Sequence, residues 1–219
     1  MGTTMIVTGA AGALGRAVVA RLARDGHDVT ALDLAETAPG HGEARYIGGV
    51  DLTDGDAVSR AFSGLKLHGL VNVAGGFVWE TTGDGAPETW EHMFRINLLT
   101  AATCCRAALP SLRAQRGAIV NVGALASAKA GAGMGPYAAS KAGIARLTES
   151  LAEEEKDNGI RVNAVLPSII DTPANRADMP DAEHDRWVTP EALADVIAFL
   201  LSADARAVTG ALFPVAGRV

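Results

Sequence analysis

"MIVTGAAGALGRAVVARL" (residues 5–22) contains an aliphatic run, three glycines and then an apolar stripe at helical spacing. The run "MIVTG" (5–9) reads as a strand. Leu14, Val18, Val19 and Leu22 recur every three or four residues, so a helix is expected from about Leu14 to Asp25. Gly9, Gly12 and Gly15 fall between the two. Glycines there permit a tight bend and let backbone N–H groups at the helix start approach a pyrophosphate. A glycine triplet alone is weak, but one that follows a first strand and opens an amphipathic helix points to a dinucleotide-binding turn.

The rest of the chain repeats the alternation. Later strands are expected at 28–33, 45–52 (weakly), 69–75, 117–123, 160–167 and 210–217. Helices are expected at roughly 87–109, at Tyr137–Asn158 and at 189–202, the last with Thr189 as N-cap and Pro190 in the first turn. The strands are short, aliphatic and without polar alternation, as strands covered by helices on both faces are. The expected fold is α/β: a single doubly wound, Rossmann-type domain over 1–219, with a mostly parallel sheet of about seven strands and helices on both faces. The one long irregular stretch, 168–188, is expected to be a substrate or lid loop.

Composition excludes several classes. Net charge is −6 and no Lys/Arg cluster exceeds a residue or two, which argues against nucleic-acid or membrane partners. The first residues have neither a basic region nor an apolar run of membrane-spanning length, so a cytoplasmic location is expected. Cys104 and Cys105 are neighbours whose mutual bridge would be strained, and reduced thiols are expected. The five histidines (27, 41, 68, 92, 184) form no ligand-spaced pair, so no metal site is expected.

Asp33, at the end of the second strand, stands where a carboxylate accepts from ribose hydroxyls and repels a 2′-phosphate. No arginine follows at Leu34, although Arg16 and Arg45 are within reach, so NAD is expected over NADP. Asp51, in "VDLTD", suits an acceptor for the adenine amino group or equally a helix cap. "NVAGG" (72–76) lets backbone close on the cofactor a second time.

Tyr137 and Lys141 in "GALASAKAGAGMGPYAASK" (123–141) lie one helical turn apart and share a face. A phenol ordinarily titrates at about 10, and a neighbouring ammonium stabilises its phenolate and makes it a better acid–base group. With the glycine turn, "NVAG" and Asn97 in the preceding helix, the pair marks a reducing site.

On "TGAAGALG", "VDLTD", "NVAG", "INLLTA", "YAASK" and "VNAVLPSIIDTP" the chain resembles the short-chain dehydrogenase/reductase family over essentially its full length. The resemblance implies that Tyr137 is the proton donor and acceptor, that Lys141 binds the nicotinamide ribose and tunes the tyrosine, and that Asn97 holds a relay water. It also assigns cofactor contacts to Ala13, Leu14, Leu52, Asn72, Ala74, Gly75 and Pro167, with the Ile170 backbone and Thr172 bracketing the carboxamide. A homodimer or homotetramer packed through 87–109 and 137–158 is implied in the same way.

Three departures stand out. Ala13 replaces a glycine of the turn, Val73 replaces the second asparagine of "NNAG", and Ala124 stands thirteen residues before Tyr137, where a serine is expected. Ser127 is a candidate substitute. Together with "DTPANRADMPDAEHDRW" (171–187), these departures resemble the dihydropteridine reductases, whose conjugated imine substrate has less need of a polarising hydroxyl. Phe77, Trp79, Met134, Met179 and Trp187, on loops at the carboxyl ends of strands, are candidates either for lining the substrate pocket or for packing those loops. The alternatives are a ketone/alcohol dehydrogenase or 3-oxoacyl-thioester reductase of the same family, and a dinucleotide sensor without chemistry. No basic carrier-docking patch supports the thioester version, and the intact Tyr137–Lys141 pair opposes the sensor.

Overall fold

The computed structural model describes residues 2–38, 40, 42 and 44–219; Met1, Pro39, His41 and Glu43 lie outside the described residues. Strands β1 (Thr4–Thr8), β2 (Asp28–Leu32), β3 (Arg45–Ile47), β4 (Leu67–Asn72), β5 (Ala118–Val122), β6 (Arg161–Pro167) and β7 (Leu212–Val215) form one sheet in the order β3-β2-β1-β4-β5-β6-β7. Every neighbouring pair is parallel. The strand order reverses between β1 and β4, which opens the crevice where such sheets take ligands.

Helices α1 (Ala13–Arg24) and α7 (Pro190–Leu201) cover one face. Val18, Leu22, Leu193 and Ile197 are buried there with Val7, Val71 and Val120. The other face carries α2 (Gly55–Phe62), α4 (Thr100–Gln115) and α5 (Gly135–Glu155), and buries Ile6, Leu70, Leu112, Ile119 and Val162. Strands β1, β4, β5 and β6 therefore send apolar side chains to both sides, the reason for their unbroken aliphatic runs.

The differences from expectation have local causes. β3 ends at Ile47, well short of residue 52, because Gly49 adopts φ +70° and turns the chain. The helix expected at 87–109 is three segments: α3 (Pro87–Met93), a π-helical stretch (Phe94–Leu99) and α4, which runs on to Gln115. Pro110 does not stop α4, because it lies on the exposed side, where the carbonyl it leaves without a partner is solvated. The stretch 168–188 is not irregular throughout, since it contains α6 (Pro173–Asp178), capped by Thr172, and a 3₁₀ turn (His184–Arg186). α2 is capped by Asp54, whose carboxylate accepts from Asp56 and Ala57 N–H, so the cap considered for Asp51 belongs three residues later.

Cys104 and Cys105 are unbridged and buried in α4; burial raises both thiols, Cys105 up to about 12. No helix among the described residues is long and apolar enough to cross a membrane.

Candidate active site

At the carboxyl end of β1 the three glycines differ in what they accommodate. Gly9 has φ +64°, and a Cβ on it would stand 2.7 Å from the Ala74 backbone nitrogen. A Cβ on Gly15 would stand 2.1 Å from the Gly9 carbonyl oxygen, so these two glycines are fixed by close packing of the turn. Gly12 is exposed, has ordinary φ, and its Cβ would meet nothing closer than the same oxygen at 3.3 Å. It opens α1 with no side-chain cap on the helix's first N–H groups, at Ala13, Leu14 and Gly15. A twelve-residue helix starting this way suits a pyrophosphate. Asp33, just past β2, accepts from Ala11 N–H (2.8 Å) and Ala35 N–H (3.0 Å), which aims its carboxylate along the turn with lone pairs left for a ribose diol. Arg16 bonds the Ala11 carbonyl beside it. The residues present therefore fit a dinucleotide.

Asp51 accepts from both the N–H and the hydroxyl of Thr53 (2.8 Å each), and these bonds hold its carboxyl below the usual range. Leu52, next to it, is buried. The Thr8 hydroxyl accepts from Val73 N–H (3.2 Å) and Ala74 N–H (3.3 Å), so β1 fixes the start of the 73–76 loop. Asn72, expected on the cofactor side, turns its amide inward instead. It donates to Asn121 Oδ1 (2.9 Å), and Asn121 donates to Thr148 (2.9 Å), a buried polar chain tying β4 and β5 to α5.

Asn97 lies in the π-helical segment and is 1% exposed. Its Oδ1 accepts from Gly76 N–H (3.0 Å), while Nδ2 donates to Gly76 O (3.1 Å) and Ser140 Oγ (3.0 Å). Ser140 in turn donates to the Tyr137 carbonyl (2.7 Å). Gly75 lies between the partners: a Cβ there would be 2.4 Å from Asn97 Oδ1 and 3.4 Å from Lys141 Nζ. The extra residue in the π turn re-aims this part of the helix toward the 73–76 loop, as π turns at functional sites do.

Tyr137 and Lys141 lie in the first two turns of α5. Lys141 is 5% exposed, and its ammonium donates to Val122 O (2.8 Å) at the end of β5. It lies 6.0 Å from the centre of the Tyr137 ring. Burial pushes the Tyr137 phenol up to about 12 and the Lys141 ammonium down to about 8. The lowering expected of the phenol belongs to the ammonium together with a bound, oxidised nicotinamide; in the chain by itself burial raises it. Desolvation dominates both groups, and the ammonium is engaged by a carbonyl rather than by the phenolate.

The Phe77 ring meets Tyr137 edge-on at 5.0 Å. Trp79, 61% exposed, donates from Nε1 to Ala132 O (3.0 Å) and lies against Gly133, where a Cβ would be 2.2 Å from the indole. These contacts lace the 77–80 and 131–134 loops, with Met134 just before α5, into one wall beside Tyr137. Ala124, two residues past β5, is buried and offers no hydroxyl; Ser127 lies on the following 3₁₀ turn. Pro167 ends β6, Ile170 bridges to Val188, and the Thr172 hydroxyl caps α6 by accepting from Asn175 N–H (3.2 Å). Met179 is half-buried at the end of α6. Trp187 is buried, its ring 4.5 Å from His184, so it packs the loop down.

Sequence reasoning missed Thr8, Ser140 and Asn121, which hold the site together. Ser140 was detectable as the hydroxyl one turn after Tyr137.

A doubly wound parallel sheet, a glycine cradle at its switch point and a tyrosine–lysine turn on the flanking helix define a nucleotide-dependent oxidoreductase. The chain belongs to the short-chain dehydrogenase/reductase family, which uses NAD(P) cofactors: the family profile described as short chain dehydrogenase matches residues 3–183. It is 31% identical to a rat (Rattus norvegicus) (3R)-3-hydroxyacyl-CoA dehydrogenase, over 97% of this chain and 94% of that one. It is 32% identical to the 3-oxoacyl-[acyl-carrier-protein] reductase MabA of Mycobacterium tuberculosis, over 98% and 91%. A crystal structure of a short-chain dehydrogenase/reductase family oxidoreductase from Burkholderia thailandensis superposes with a TM-score of 0.91 at 33% identity, covering 99% of this chain and 92% of that one.

Proposed function

We propose that the chain is an NAD(H)-dependent oxidoreductase acting on a small carbonyl or an activated imine, with Tyr137 as the proton donor and acceptor. The observation that carries this reading is the placement of buried Lys141 and Asn97 against the Gly75–Gly76 backbone, with Tyr137 beside Lys141 and against Phe77, at the carboxyl edge that also carries the glycine cradle. Asp33 and the start of α1 would hold the dinucleotide, with Ile170 and Thr172 at its nicotinamide end. The bound cofactor supplies or accepts the hydride. Tyr137, protonated at neutral pH, would donate its proton to the substrate heteroatom as the hydride arrives, and take it back in the reverse reaction. Asp33 supports NAD over NADP by repelling a 2′-phosphate.

Ala124 supports an easily reduced acceptor, such as a quinonoid dihydropterin. An oxyanion-type donor is worth roughly 10²–10³ in rate, and this site lacks one at that position. A second reading, reduction of a 3-oxoacyl thioester, is supported by the activities named for the rat and mycobacterial relatives. Cofactor consumption with a dihydropterin, simple ketones and a 3-oxoacyl thioester, each with NADH and NADPH, separates the two. Preferential turnover of the dihydropterin with NADH supports the first reading; preferential turnover of the thioester replaces it with the second. Two unbridged cysteines support a cytoplasmic site of action. The exposed Trp90 and Phe94, on a groove of about 560 Å³ between the π-helical region and α5, support a homo-oligomer.

A further inference from the structure

We propose that Gly217 and Arg218 act as positioning residues that pin the far foot of the 169–188 arch and thereby set the position of its middle, residues 172–184. The inference rests on reading that arch as the substrate cover. The near foot leaves β6 at Ser168, which is bonded twice to the segment after β7: its N–H donates to Val215 O (3.1 Å) and its hydroxyl to Ala216 O (2.7 Å). The far foot is held by the next two residues of the same segment. Arg218 N–H donates to Arg186 O (2.9 Å), and Arg186 Nε returns a bond to Arg218 O (2.8 Å). The Arg218 guanidinium reaches Asp185 O (2.6 Å) and Oδ2 (3.4 Å).

One four-residue stretch, 215–218, therefore grips both ends of the arch. The feet are also bonded to each other, Val188 N–H to Ile169 O (3.0 Å) and Asp171 N–H to Val188 O (2.8 Å). Between them lie α6 and a 3₁₀ turn, each too short to stand alone, so the placement of the feet carries Asn175 and Met179 with it. Gly217 makes the grip possible. Its φ of +64° turns the chain toward the arch, and a Cβ there would be 2.7 Å from Arg186 O and 3.2 Å from Val188 Cγ2. The arginine bonds are exposed and individually weak, and a merely solvated tail would not reciprocate backbone and side-chain bonds on the same partner.

Gly217→Val and Arg218→Ala test this by amide hydrogen exchange, compared between peptides covering 172–186 and those covering β5 and β6. The expected result is exchange about tenfold faster in the arch of Gly217→Val, a smaller rise in Arg218→Ala and unchanged strands. With the preferred acceptor, KM should rise several-fold while kcat stays within about twofold. Unchanged arch exchange in both variants, or equal acceleration in the strands, overturns the proposal. A loosened arch with unaltered KM overturns it as well. Exchange needs no turnover, so absence of any acceptor activity would refute the proposed function separately from the pin.

Discussion

Lys141 and Tyr137 are shifted by the same burial to opposite effect on stability. The ammonium falls from its ordinary 10.5 to about 8, so between these values the unfolded chain binds a proton that the folded chain has lost. Folding stability should therefore rise with pH across that window, by on the order of 3 kcal/mol for this group. The phenol rises from 10.0 to about 12, so above pH 10 the folded chain retains a proton the unfolded chain has lost and stability declines again. Urea unfolding of the native protein and of Lys141→Met at a series of pH values between 7.5 and 9.5 checks this: the native protein gains stability relative to the variant as pH rises. Parallel profiles would show that the ammonium is not desolvated. Tyr137 and Lys141 were legible as a pair because helix periodicity fixes which side chains share a face. Their electrostatics were not legible, because burial and the Val122 carbonyl come from a strand distant in sequence.

The strand–turn–helix at residues 4–24 makes a sharper distinction among its glycines than spacing alone gives. Gly9→Ala forces a Cβ into the Ala74 backbone at a left-handed φ, and should destabilise the protein by about 2–3 kcal/mol and abolish dinucleotide binding. Gly12→Ala meets only a 3.3 Å contact, so its melting temperature should stay within about 3 °C of native while dinucleotide affinity falls at least about tenfold. Thermal melts paired with calorimetric titration of NADH decide it; a Gly12→Ala protein with native affinity would remove the cradle from the site. This element was readable because turn glycines, apolar period and order along the chain agree. The π turn around Asn97 was not, because "FRINLL" has ordinary helical composition and only its packing against the Gly75–Gly76 loop distinguishes it. α6 was missed although Thr172–Pro173 repeats the start signal that located α7 at Thr189–Pro190.

At the scale of the molecule, the reversal of strand order between β1 and β4 brings the glycine turn, the 73–76 loop and the end of β5 to one edge of the sheet. A ligand spanning that edge ties together segments from residue 9 to residue 172, so binding should stabilise the whole fold. NADH at a hundred times its dissociation constant should add about 2.7 kcal/mol, raising the melting temperature by roughly 5–10 °C. On the proposed contact of Asp33 with the ribose, equal NADPH should give a smaller rise. The alternation of strands and helices made this architecture readable, whereas the two grips on the arch join residues about thirty to fifty apart and follow no sequence period. The central claim, that Tyr137 delivers the proton accompanying reduction, is tested most directly by the turnover of Tyr137→Phe at saturating NADH and acceptor. A loss of about 10²–10⁴-fold with NADH affinity unchanged is expected; turnover equal to that of the native protein would remove Tyr137 from that role.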